Sequence, residues 1–581
     1  MNVLFELTND ELIDPMYVTP YSGLELPLSW EKEELPRYDF QKKLKDLTFI
    51  KEDFQYFLSL EQSDSRCNLQ TLRVLINCGM DAEDTELFVG TFSMANGSWD
   101  LDKCTVKFKV DTVDSYQCID DNDDDVNVLD LGLTEQIISL GFEYKFEQYL
   151  CVGGDCIDHE ELIEDKWVLW YTLGSGKSYL RQIINAPCDY IASSEWIVVE
   201  PCTNGIIKYA KTYSYVPFEQ TYPSGGTSYF SLDINLDPIS QVDNGMKLIE
   251  VMQELLNVSC NSYTLQSDFF QWNPENETNI NYVTGETNKY RNLILFQKSD
   301  VKRPNTSNNA TKAETNFIEL LEEICNIFNC WYTIIDDYLR IEHVSWFQSN
   351  LGLNLATPSN KEKYLKGTRK YSYDETKLPN VEKFQFMESG SIDFVGTDII
   401  YDSNCTNNNE ENKSETVINN ITTDIVFCLE NPESESDLVS DDGFVLVACD
   451  QSNNVYFENG ILEANTSLNN ILGWAHLHDK LFRHARVLPE GNLNNEDVVF
   501  ESTLPTIKQD KFNVIMPCSQ IKLFNPLDQI RAALGWGFVQ TAELNLMNCN
   551  FNLELLLNEI QDITYTFEYG DFDEDFDFDF D

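Results

Sequence analysis

The longest apolar runs in this chain have the length of β-strands. Residues 167–173 read Trp-Val-Leu-Trp-Tyr-Thr-Leu, and residues 443–449 read Gly-Phe-Val-Leu-Val-Ala-Cys. Short apolar runs fit buried strands, and neither approaches the roughly 20 apolar residues a membrane-crossing helix needs. Period-two stretches recur between them. Within 94–110 the chain turns at Gly97, and Cys104-Thr-Val-Lys-Phe-Lys-Val110 then alternates apolar and polar residues, the mark of a half-buried strand. Residues 166–171 and 195–200 read as further strands, and Gly225-Gly226 as a loop. The expected class is therefore α+β, mainly β.

Helical spacing appears later. Over 243–256, Met246, Ile249, Met252, Leu255 and Leu256 lie near one face, with Asp243 placed to cap. Over 316–329, Asn316 and Glu319 resemble a capping box, and Leu320, Leu321, Ile324, Cys325 and Phe328 follow at helical intervals. Residues 331–335, the pair Asp336-Asp337, and residues 338–343 then read as strand, turn, strand. This helix and hairpin are expected to pack as one unit. A further helix is expected over 470–486, with Trp474, Leu477 and Leu481 on one side.

At roughly 100–200 residues per domain, 581 residues suggest about three to five domains. The pattern divides the chain into β domains at 1–130 and 131–240 and a helix-and-hairpin domain at 241–350. A β segment follows at 351–430, with an Asn/Glu/Ser-rich mobile loop at 403–420. A C-terminal β domain at 431–570 contains the 470–486 helix. Residues 304–310 read as a polar linker. The last residues, 571–581, interleave Phe572, Phe576, Phe578 and Phe580 with acids and are expected to be a disordered, solvated tail. Those four phenylalanines are candidate partner-binding residues.

Charge narrows the functions. Ninety-eight acidic against 40 basic side chains leave a net charge of −58. Such a surface repels phosphate, which disfavours specific nucleic-acid binding and anionic membranes. The opening Met1-Asn2-Val3-Leu4-Phe5-Glu6 has no basic segment leading into a long apolar core, so cytoplasmic synthesis is expected. Sixteen cysteines lie mostly singly. Cys151/Cys156 and Cys325/Cys330 are each five apart, not at CxxC spacing, so free buried thiols are expected. About nine N-x-S/T sequons, among them Asn96, Asn257 and Asn309, arise by chance in a chain rich in Asn.

Candidate chemical motifs each lack a required part. Gly174-Ser-Gly-Lys-Ser178 suggests a phosphate loop, but Tyr171 occupies the position of the leading glycine, so Lys177 is expected in an ordinary loop. His476 and His478 are two apart on the expected helix, and His484 is eight from His476. None of these spacings is the i, i+4 pair of a helical zinc site. The aspartates at 120–125 invite calcium, but Asp125 and Leu131 stand where an EF-hand has Gly and Glu, so a solvated turn is expected. Neither a Gly-x-Ser-x-Gly elbow nor a Cys/His catalytic signature appears. The reading is of a protein that is no enzyme and uses no cofactor.

Several phrases resemble the large tail proteins of phages and prophages of Bacteroidetes-type bacteria. They are Phe92-Ser-Met-Ala-Asn-Gly-Ser-Trp-Asp-Leu-Asp-Lys-Cys104, Asp114-Ser-Tyr-Gln-Cys118, Val126-Asn-Val-Leu129, the 316–329 helix, Leu339-Arg-Ile-Glu-His343, Thr422-Thr-Asp-Ile-Val426, Asp442-Gly-Phe-Val-Leu446, Trp474-Ala-His-Leu-His478 and Leu534-Gly-Trp-Gly537. The resemblance implies a virion baseplate hub or tail-tip protein, with β-barrel domains related to the tail tube and helix-plus-hairpin insertions. It also implies a homotrimer assembled in the host cytoplasm, joining tube to spike beside other tail proteins and lining a DNA channel. An acidic lumen would let DNA pass without adhering. The rival readings are a surface adhesin or carbohydrate-binding protein, whose 35 Phe, 27 Tyr and 10 Trp would stack on sugars, and a tail-borne cell-wall hydrolase.

Overall fold

A computed structural model describes residues 2–9, 15–21, 26–78, 84–139, 146–147, 165–171, 178–189, 191, 197–215, 241–273, 279–301, 312–355, 365–366, 370–373, 381–386, 397–400, 413–423, 425, 443–456, 471–472, 477, 481, 485–487, 498–500 and 507–557. The chain is mainly β, with several sheets and few helices.

The alternating pattern of the N-terminal region builds an antiparallel sheet. Its strands lie in the order Asp111–Thr112, Thr85–Ser93, Leu69–Asn77, Asn2–Thr8, Met16–Val18. Beside it, Thr105–Phe108 pairs with Leu47–Ile50 and Ser98–Asp100. Val106 and Phe108 point inward and Lys107 outward, as period two requires. The helix Lys51–Glu61 covers this sheet, and its Phe57 lies 4.8 Å from Phe49 and 5.2 Å from Phe108 between ring centroids.

Strands from both ends of the chain share one sheet. Pro27–Lys32 runs antiparallel to Trp536–Asn545, which pairs onward with Asn550–Leu557 and through it with Ile507–Ile515. Sheets therefore cross the contiguous segments drawn from sequence. Gln136–Ser139 likewise pairs with Gln241–Lys247, which continues through Leu293–Gln297 to Phe444–Ala448. All five residues of Phe444–Ala448 are buried, as a run apolar on both faces demands.

The centre is the helix and hairpin. Phe317–Phe328 starts where the Asn316 side chain accepts from the Glu319 amide at 2.8 Å, and ends at Asn329 in the left-handed region. Cys330–Ile335 and Tyr338–His343 form the hairpin around Asp336-Asp337, with Asp336 at φ 54°. Leu321 and Phe328 share a core with Tyr332, Leu339 and Ile341, so the helix and hairpin pack as one unit, on the hairpin face that carries Tyr332.

Five expectations need correction. Asp243 caps no helix, because 241–247 is a strand. A Cβ at Gly245 would strike the Phe296 ring, and the helix begins only at Leu248. The expected loop 403–420 contains the strand Lys413–Ile418, which gains its hydrogen bonds by parallel pairing with Val381–Phe386. Polar composition does not prevent pairing when a neighbour supplies the ladder. The cysteines are not all thiols: Cys78–Cys518, Cys118–Cys260 and Cys188–Cys202 are disulfides, closed between residues the fold brings together. The aspartates at 120–125 are not simply solvated, as described below. Of the expected 470–486 helix, Leu477 is helical and is buried with Ile471, Leu472 and Leu481, but Ala485–Val487 is a strand paired with Val498–Phe500, so the helix does not reach Arg486; Trp474 lies outside the described residues.

Candidate functional site

Three distant parts of the chain meet on the second face of the hairpin. Pro36-Arg37-Tyr38 runs alongside Cys330–Ile335: Tyr38 donates its amide to the Tyr332 carbonyl at 2.8 Å, and Tyr332 donates back to Pro36 at 3.0 Å. Period two sends Trp331 to the face opposite Tyr332. There it stacks on Tyr38 at 5.0 Å between centroids, with Phe347 and Phe538 closing the cluster. The Lys32 ammonium lies 4.8 Å from the Tyr38 ring, a favourable cation–π arrangement. Burial pushes the Tyr38 hydroxyl far above its ordinary value, so it stays neutral.

Arg37 organises the acids beside this cluster. Its guanidinium bonds Asp114 at 3.0 Å and Asp120 at 3.2 Å, and lies 3.7 Å above the Tyr116 ring. Further along, Asp123 accepts from the amides of Phe317 and Ile318 at 2.9 and 3.3 Å and from the Ser259 hydroxyl at 3.3 Å. It thus satisfies donors at the start of the 317–328 helix, where the helix dipole favours a carboxylate. Asp125 accepts from the Asn316 side chain at 3.2 Å. These aspartates fasten elements together. Among the described residues no group of three or more His, Cys, Asp or Glu is arranged to hold a metal.

The buried polar centre of the hairpin is Glu342, fully shielded from solvent. It accepts from the amides of Asp268 and Phe269 at 2.7 and 3.0 Å, from the Tyr282 hydroxyl at 3.0 Å and from Arg340 Nε at 3.0 Å. Arg340 also bonds Gln266 and Asp268 and lies 4.7 Å over Trp346. Burial pushes Glu342 up to about 7, against the pull of the two amides and of Arg340. With both oxygens engaged, Glu342 pins Asp268, Phe269 and Tyr282 to the hairpin. His343 beside it holds Ser345 and the Leu481 carbonyl, each at 2.8 Å.

A cleft of about 1270 Å3 opens between the N-terminal sheet and this junction. Arg37, Asp114, Asp120, Leu87 and Ile334 are among the residues that line it. Sequence reasoning missed Arg37, Asp123 and Glu342 as organising residues. A signal existed for Glu342: alternation in Leu339-Arg-Ile-Glu-His343 places Arg340 and Glu342 on one face, opposite Thr333 and Trp331. Arg37 carried none. Lys177, His476, His478, His484, Phe572, Phe576, Phe578 and Phe580 all lie outside the described residues, as does 304–310.

No protein-family model matches the chain, and no curated protein matches it. Among solved structures, it is similar to a 43 kDa tail protein of prophage MuSo2 from Shewanella oneidensis, at 10% identity and a TM-score of 0.23, over 72% of this chain and 100% of that one. It is also similar to a Francisella PdpA–VgrG complex, at 9% identity and a TM-score of 0.23, over 97% of this chain and 59% of that one.

Proposed function

We propose that this protein is a structural, non-enzymatic component of a phage tail, a hub or tail-tip protein that assembles as a trimer with other tail proteins. The observation that carries the reading is the use made of one buried and two half-buried ionisable groups. Asp123 holds a helix start, Arg37 clasps two acids, and Glu342 pins a loop. Each fastens one segment to another across long sequence separations, which is the chemistry of a rigid connector. The charge of −58 fits a surface past which DNA must move without sticking, and the sequence phrases resembling tail proteins agree. The four tail phenylalanines would dock on a neighbouring subunit, with burial from the rings and steering from the acids.

The adhesin reading keeps one specific support. Disulfides persist in oxidising surroundings, and three link described residues. Negative-stain imaging of the source particle, with antibody against this chain, separates the two. Label at a tail tip supports the connector; label on a cell surface, with no tails, supports the adhesin and overturns the proposal.

A further inference from the structure

We infer that the fold carries an oxidative clamp: Cys78–Cys518 and Cys118–Cys260 close after folding and lock its parts together. The placement of the four residues argues for this. Cys78 follows the strand Leu69–Asn77, and Cys518 begins the short helix Cys518–Ile521. Their Cα atoms are 5.4 Å apart across 440 residues of sequence. Cys118 lies in the helix Gln117–Asp121 and Cys260 just past Leu248–Ser259, again 5.4 Å apart, with a separation of 142. Only the tertiary fold brings such partners together. By contrast, Cys188–Cys202 spans 14 residues and joins no distant parts.

Both long bridges cross junctions described above. Cys78–Cys518 ties the N-terminal sheet to the sheet shared by both chain ends. Cys118 is two residues from Asp120, which bonds Arg37, and Cys260 adjoins Ser259, which bonds Asp123. The second bridge therefore anchors the same acidic loop that fastens the helix and hairpin. Among the other described thiols, Cys325 and Cys330 are buried and pushed well above their ordinary values, so they hold little thiolate, whereas Cys67 and Cys104 are exposed and free. Cys78, Cys518 and Cys118 are half-buried, so each bridge has a sulfur within reach of a small disulfide, although Cys260 is 5% exposed.

A small disulfide of the glutathione class serves as oxidant. One protein thiolate attacks it, forming a mixed disulfide and releasing one small thiol. The second protein thiolate then displaces the other. Two small thiols leave with the two protons and two electrons that the protein pair has lost. Made in reducing conditions the chain is unclamped; on meeting an oxidising exterior it becomes clamped. This inference is independent of which assembly the chain enters.

The test uses full-length protein purified in reductant, exposed to oxidised glutathione while folded, then alkylated and mapped by peptide mass. The expected result is Cys78 joined to Cys518 and Cys118 to Cys260, with Cys325 and Cys330 still thiols, and a melting temperature raised by at least about 5 °C. The double variants Cys78→Ser/Cys518→Ser and Cys118→Ser/Cys260→Ser each lose part of the gain, while matching reduced wild type in reductant. Should a variant fail to fold, oxidised and reduced wild type supply the same comparison. The clamp is overturned if any of Cys78, Cys518, Cys118 and Cys260 stays alkylatable after oxidation or pairs with another residue, or if the two bridges form without raising the melting temperature.

Discussion

Replacing Glu342 by Gln should change how stability depends on pH, and the sign follows from its surroundings. Burial raises this carboxyl from an ordinary 4.5 to about 7 in the folded chain. A raised acid favours the proton-bound form on folding. Its contribution is fully present below the unfolded value and is lost as pH rises through the folded one. Each pH unit separating the folded and unfolded values is worth about 1.4 kcal/mol. Between about pH 5.5 and about pH 8.5 the group should therefore remove roughly 2 kcal/mol of stability from wild type. The amide introduced by Glu342→Gln cannot ionise and is close to the protonated acid in shape, so this variant should lack the loss. The assay is urea unfolding read by tryptophan fluorescence, since Trp331 sits opposite Glu342 in the hairpin and Trp346 lies under Arg340. The other acids titrate in both proteins, so the difference between them isolates this site. The difference should shift by roughly 2 kcal/mol in favour of Glu342→Gln as pH rises over that range. A constant difference would mean that Arg340 and the amide donors keep Glu342 ionised throughout. A shift of opposite sign would mean its value is depressed.

Other perturbations test neighbouring parts. Leu321→Asp buries an unpartnered carboxylate in the core beneath the hairpin, at a cost of several kcal/mol on the order expected for buried charge; wild-type solubility and melting temperature in that variant would show the helix face to be exposed. Asp123→Ala removes the acceptor for the Phe317 and Ile318 amides and should cost about 1–2 kcal/mol, with Asp123→Asn costing less; equal melting temperatures for all three proteins would refute the capping role. Deleting residues 571–581 should lower incorporation into particles at low salt, with the gap narrowing as salt screens the contact. Equal incorporation at all salt concentrations would rule out docking by Phe572, Phe576, Phe578 and Phe580.

What could be read in advance was local. The 317–328 helix and its hairpin were legible because the cap, the helical spacing and the two-residue turn lie within 28 consecutive residues, 316–343. The strand at 105–108 was legible because one face is solvated and alternation survives. Where long-range pairing decides, the pattern misled. Residues 243–247 carry helical spacing, yet pair with Gln136–Ser139 and Leu293–Gln297; tertiary context overrides propensity. Lys413–Ile418 looks like linker until Val381–Phe386 supplies its ladder. The junction at Arg37 was invisible because Tyr38, Trp331 and Phe538 are brought together only by folding. Cysteine spacing likewise says nothing about partners 440 residues apart.

Multi-angle light scattering of the full-length protein across a range of concentrations decides whether this chain assembles. Closed symmetric oligomers are the usual outcome for such components. The expected mass is that of three chains or more, each chain being 67.1 kDa, or growth into larger particles when tail-tube protein is added. A single 67.1 kDa species at every concentration, unchanged by tail-tube protein, would contradict assembly.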